Sequence, residues 1–131
     1  MHGHGTRQVS PPRSLTTAER EILRKLVAEI SGSVEVLDCQ TRHVKVIEEC
    51  SVGCGTVALA VDEGACPPLD NQGGAPSSGL GADEHGSPIE VLSHFRDGYL
   101  RMIELVRLDG GLARGLPPAR LLVFEGSKPG R

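Results

Sequence analysis

Four cysteines (Cys39, Cys50, Cys54 and Cys66) and three histidines inside the apolar span (His43, His85 and His94) are the side chains best suited to metal or thiol chemistry. Cys50-x-x-x-Cys54 is the closest pair. Structural zinc sites use two close pairs of ligands, each about two to four residues apart. Only one such pair exists here, so Cys39, Cys66 or His43 would have to complete the set, in a spacing that fits no zinc module. Nor is it the redox spacing Cys-x-x-Cys. The expectation is therefore no metal and no cofactor, with two small thiols packed at the end of a hairpin. His2 and His4 offer adventitious metal contacts only. A nucleophilic cysteine needs a histidine in hydrogen-bond reach and a group to orient it, and no local signature marks one. The glycines at 73–81 do not follow a strand and open a helix, so no phosphate loop is read.

The second cluster lies in PIEVLSHFRDGYLRMIELVR, residues 88–107. Asp97-Gly98 between two strand-like runs signals a two-residue turn. That register sets Arg96 opposite Tyr99, His94 opposite Arg101, Leu92 opposite Ile103 and Glu90 opposite Leu105. His94, Arg96, Tyr99 and Arg101 then converge, and arginine beside a titrating histidine suits an anion or a carboxylate. An exposed sheet face with Arg96 stacked on Tyr99 explains the same residues without a ligand. Glu104 falls on the apolar side in this register, where a carboxylate is costly unless paired. The candidate ligand-binding residues are His94, Arg96, Tyr99, Arg101 and Glu104; no catalytic residue is singled out.

The elements that hold these groups are read from periodicity. Thr16-Thr17-Ala18-Glu19 fits a capping box. Ala18, Ile22, Leu23, Leu26, Val27 and Ile30 follow at helical spacing, giving a helix over 16–30. Residues 33–41 suit a strand through Val34 and Val36, or a short helix through Val34, Leu37 and Cys39; the helix is the reading taken. Strands are expected near 43–50 and 55–62, joined through Ser51-Val52-Gly53-Cys54-Gly55, and near 88–96 and 99–107. Residues 63–87, rich in Gly, Pro and Ser, are read as a flexible loop inside a single domain over 14–125. Residues 1–13 are read as a disordered arm and 126–131 as a loose tail. Residues 119–124 suit one helical turn or an edge strand. The fold expected is α+β, an N-terminal helix packed on an antiparallel sheet of at least four strands built from two successive hairpins.

With 131 residues the chain has room for one domain. Only Phe95, Tyr99 and Phe124 are aromatic, too few for a base-stacking platform. Residues 31–95 carry ten acidic and two basic groups, a charge of −8 that repels a phosphate backbone. Nucleic acid and membrane are therefore not expected as partners; no apolar run reaches the length a span requires. Residues 1–13 lack the apolar core of a secretory signal, so a cytoplasmic location with free thiols is expected.

The motifs together resemble a set of small, uncharacterised bacterial proteins. The shared features are a helix opening L-T-x-x-E (Leu15, Thr16 and Glu19), a C-G-x-hydrophobic hairpin at Cys54, and a signature close to V-L-x-H-x-R-D-G-Y-L-x-x-x-E. The last is carried by Val91, Leu92, His94, Arg96, Asp97, Gly98, Tyr99, Leu100 and Glu104. The resemblance implies a helix on an antiparallel sheet and brings no activity. The leading functional expectation is a small non-catalytic binding or protein-interaction domain, with an unknown protein or small-molecule partner. Alternatives are an anion- or carboxylate-binding domain or enzyme built on the 88–107 hairpin, and a zinc-stabilised interaction module.

Overall fold

The computed structural model describes residues 5–70 and 72–124. Among these residues, six strands form one sheet, antiparallel throughout, in the order β1-β2-β3-β6-β5-β4. The strands are β1 (Thr6–Arg13), β2 (Val44–Cys50), β3 (Val57–Val61), β4 (Gly74–Ala82), β5 (Pro88–Arg96) and β6 (Tyr99–Arg107). The helices α1 (Thr17–Val27) and α2 (Val34–Arg42) lie between β1 and β2 in the chain. A short 3₁₀ turn, Ala119–Leu121, follows β6. The chain is thus α+β, with the two expected hairpins at β2–β3 and β5–β6.

α1 begins where its capping box predicts. The Thr16 hydroxyl accepts from the Glu19 N–H at 3.1 Å, and the Glu19 carboxylate accepts from the Thr16 N–H at 2.9 Å. Its apolar stripe is Ile22, Leu23 and Leu26, all with no exposed surface. Each such side chain contributes roughly 1.5–3 kcal/mol on burial. The stripe packs α1 against β4 and β5. Residues 33–41 resolve as helix: Ser33 caps α2 by accepting from the Val36 N–H. The guanidinium of Arg20 donates to the Thr41 carbonyl at 2.7 Å and ties the helices together.

One sheet face is buried and the other is open. Val57, Leu59 and Val61 of β3, Ile89, Val91 and Phe95 of β5, and Leu100, Ile103 and Leu105 of β6 face the core. Their neighbours in sequence, Ala58, Ala60, Glu90, Leu92, His94, Met102 and Glu104, are half-buried on the other face. Period-two alternation of this kind marks a sheet covered on one side.

Several expectations are corrected. Residues 6–13 are strand β1, not a disordered arm; residues 1–4 lie outside the described chain. β1 is an exposed edge strand, so it shows no apolar alternation to read. It is held by ladder bonds to β2 and by charge: Arg7 pairs with Glu49 at 2.7 Å, and Arg13 with Glu19 at 2.9 Å and Glu49 at 3.2 Å. The segment 63–87, read as a flexible loop, contains β4, paired along its length with β5. Its glycines are what let it pack. A Cβ on Gly79 would lie 3.0 Å from Phe124, and one on Gly81 would lie 3.2 Å from Leu122 and Pro117. The bare backbone accepts the C-terminal segment, and Val123 exchanges both backbone hydrogen bonds with Leu80. Residues 119–124 therefore supply both a helical turn and an edge bridge. The expected tail at 126–131 lies outside the described residues.

The link from β3 to β4 must pass β6 and β5, which lie between them in the sheet. It runs past the tip of the β5–β6 hairpin and is anchored there by Cys66 and Leu69, 3 % and 4 % exposed. Leu69 N–H donates to the Gly98 carbonyl at 2.8 Å, and Gly98 N–H to the Gln72 carbonyl at 2.9 Å. The hairpin turn itself is as the Asp-Gly pair predicts, with φ of +54° at Asp97 and +84° at Gly98.

Candidate functional site

The β5–β6 register departs from expectation after the first two pairs. Arg96 faces Tyr99 and Phe95 faces Leu100, but His94 then faces Met102, leaving Arg101 as an extra residue. This β-bulge shifts every later pair by one position. Leu92 therefore faces Glu104, not Ile103, and Glu90 faces Val106, not Leu105. The bulge turns Ile103 and Leu105 into the core and moves Glu104 out of it. The costly carboxylate of the unbulged register is thereby avoided.

The predicted cluster does not assemble. Tyr99 is 9 % exposed, and its hydroxyl donates to the Cys66 carbonyl at 3.0 Å. It is a post for the 62–72 connection, not part of an open surface. His94 and Arg101 do not oppose each other, so the expected anion site, which needs their opposition, is not formed. Arg101 pairs with Glu63 at 3.3 Å, and Arg96 is exposed at the hairpin end. His94 and Glu104 do come together, with Nε2 to Oε1 at 2.8 Å on the open face.

That pair lies in a patch whose rows follow from the register. One row runs Glu48, Ala58, Met102, His94; the next is Ser78, Leu92, Glu104; a third is Leu80, Glu90, Val106. Leu80 and Val106 are exposed at 39 % and 38 %. The patch has apolar side chains at its centre and charged ones interleaved. Two clefts among the described residues, of about 540 and 220 Å³, are both lined by residues outside 88–107.

The larger cleft lies between α1 and the 3₁₀ turn, lined by Glu21, Arg24, Lys25, Pro118, Ala119 and Arg120. The smaller is bordered by Arg7, Arg13, Glu49, Cys50, Gly53 and Thr56, and both arginines are already paired with carboxylates. Cys50 and Cys54 are buried thiols at the β2–β3 turn, as expected. Burial pushes the Cys50 thiol up, but the Cys54 thiol and the N–H groups of Val52, Cys54 and Gly53 outweigh it and hold Cys50 below the ordinary thiol value. Burial and its bond to Cys50 push Cys54 up.

Cys39 and Cys66 correct the expectation of free thiols: they form a disulfide across 27 residues, with Cα atoms 5.8 Å apart. The linking of α2 to the β3–β4 connection brings them together. His43, one helical turn after Cys39, joins them; the ligand atoms of Cys39, His43 and Cys66 lie within 4.8 Å of one another. Neither Cys50 nor Cys54 joins this group, so the metal set considered from sequence divides into two separate places.

Gln40 is not among the residues that the sequence singles out. It has no exposed surface, donates through Nε2 to the Pro67 carbonyl at 3.1 Å and the Gly98 carbonyl at 2.9 Å, and accepts from the Leu100 N–H at 3.0 Å. It joins α2, the 62–72 connection and the hairpin tip. No local signal marks it, because its partners are 27 to 60 residues away.

Comparison with known proteins returned no matching family model, no matching curated protein and no matching solved structure.

Proposed function

We propose that this chain is a non-catalytic protein-interaction domain that docks a partner on the open sheet face of β3, β6, β5 and β4. The supporting observation is the arrangement of that face. Ala58, Leu92 and Met102 form an apolar centre, and Glu48, Glu90, Glu104 and His94 stand among and around them. A desolvated apolar core with a polar rim is how protein interfaces are built. Three carboxylates on the face favour a protein partner that presents basic side chains around an apolar patch. A polynucleotide offers the wrong charge to the same surface.

The test uses a photo-crosslinking residue at Met102, with one at Arg24 on the outer side of α1 as the reference. The expected result is a crosslink from position 102 to a different, basic protein. It should weaken with added salt and vanish when Glu90→Lys and Glu104→Lys are combined. Equal capture from position 24, or crosslinks only to a second copy of the chain, would overturn the proposal.

A further inference from the structure

We propose that Cys39, His43 and Cys66 form a zinc site that replaces the Cys39–Cys66 disulfide when the chain is reduced. Cys39 lies in the last turn of α2 and His43 is its C-cap residue, whose N–H donates to the Cys39 carbonyl at 3.0 Å, so the two stand one turn apart at the end of the helix. Cys66 approaches from the β3–β4 connection. Two sulfurs and one imidazole nitrogen already lie within 4.8 Å of one another. In a tetrahedral zinc site with bonds of about 2.0–2.3 Å, ligand atoms sit about 3.3–3.8 Å apart, which small side-chain rotations reach from here.

Hydrogen bonds hold the scaffold around the three residues in addition to the disulfide. The Tyr99 hydroxyl holds the Cys66 carbonyl, and Gln40, next to Cys39 in the helix, holds the Pro67 carbonyl next to Cys66. Breaking the sulfur–sulfur bond leaves these tethers in place, so the thiols stay facing each other. Cys66 is buried, Cys39 half-buried and His43 exposed. The site therefore opens to solvent on the histidine side, leaving a fourth position for water. Two thiolates and an imidazole are a soft-to-borderline donor set that suits Zn²⁺ over the oxygen-seeking divalent ions.

The exchange balances with a dithiol as reductant. The dithiol gives two electrons and two protons to the disulfide, becoming a disulfide itself, and the Cys39 and Cys66 thiols are released. Zn²⁺ then binds both sulfurs and His43, and the two thiol protons pass to solvent. The same two sulfurs cannot serve both states, so the oxidised chain excludes the metal.

The experiment measures zinc on the full chain by equilibrium dialysis and elemental analysis, before and after reduction with a phosphine under argon. One zinc per reduced chain and none per oxidised chain is expected. Cys39→Ser and Cys66→Ser should abolish binding. Cys50→Ser combined with Cys54→Ser should leave it unchanged. His43→Ala keeps the disulfide and the fold within reach of a check, and should weaken zinc in the reduced chain by at least about tenfold, the loss that even an outer-shell partner produces. Cobalt in place of zinc should give sulfur-to-metal charge-transfer absorption that Cys39→Ser and Cys66→Ser remove. A reduced, folded chain that binds no zinc, or binding that follows Cys50 and Cys54 or ignores His43, would overturn the proposal.

Discussion

Replacing Gly98 by alanine tests how the hairpin tip is built. Gly98 has φ of +84°, which costs an alanine roughly 1 kcal/mol of backbone strain. A Cβ there would also stand 2.6 Å from the Pro68 Cβ and 2.7 Å from the Leu69 carbonyl oxygen. Ordinary contacts between such atoms are about 3.5 Å or more, so the connection must retreat by close to an ångström. Three hydrogen bonds stretch when it does: Leu69 N–H to Gly98 O at 2.8 Å, Gly98 N–H to Gln72 O at 2.9 Å, and Gln40 Nε2 to Gly98 O at 2.9 Å. At about 0.5–1.5 kcal/mol net for each bond, the total cost of Gly98→Ala comes to about 3–5 kcal/mol. Gly53 is the internal reference. Its φ is +79°, and nothing lies within 4 Å of its would-be Cβ. Gly53→Ala therefore carries the strain alone, about 1 kcal/mol. Urea unfolding of both variants, with the slope compared to detect any change in the unfolded state, separates the two contributions. If Gly98→Ala falls within about 0.5 kcal/mol of Gly53→Ala, the close approach of the connection to the turn is not a feature of the protein and the reasoning fails.

Gln40→Leu should destabilise by about 2 kcal/mol or more, because it leaves the buried Leu100 N–H and the Pro67 carbonyl without a partner and takes from the Gly98 carbonyl one of its two donors; a neutral result in urea unfolding would count against that hub. Burial raises the Glu19 carboxyl, but hydrogen bonds from Arg13 and Thr16 outweigh it and hold the group below its usual 4.5. Its stabilisation is thus fully present above that value and lost as pH falls through the lower folded pKa. Glu19→Gln should be less stable than the parent at neutral pH, with the gap closing in strong acid; a gap that does not vary with pH would contradict this. Reducing the Cys39–Cys66 disulfide in the absence of metal should lower stability by up to about 3.6 kcal/mol, the chain-entropy value for a loop closed over 27 residues. Thermal scans with and without a phosphine read it directly, and an unchanged midpoint would contradict a stabilising role for the bond.

What sequence alone determined are the features whose physics is local. The Thr16–Glu19 capping box and the helical stripe of Ile22, Leu23 and Leu26 are satisfied within a few residues of one another, so they were legible. The same holds for Asp97-Gly98, whose positive φ angles are a property of the dipeptide, and for the alternation of β3 and β5. Tertiary structure decided the rest. The extra residue at Arg101 breaks period two without leaving a sign in composition, and it alone separates His94 from Arg101 and frees Glu104 from the core. Strands β1 and β4 carry no apolar alternation, since one is held by ion pairs and backbone bonds and the other by glycines that make room for Phe124 and Leu122. Gln40 and the Cys39–Cys66 bond join residues 27 to 60 positions apart. Such groups meet only because the β3–β4 connection must travel around the tip of the β5–β6 hairpin, a consequence of strand order that no window along the chain contains.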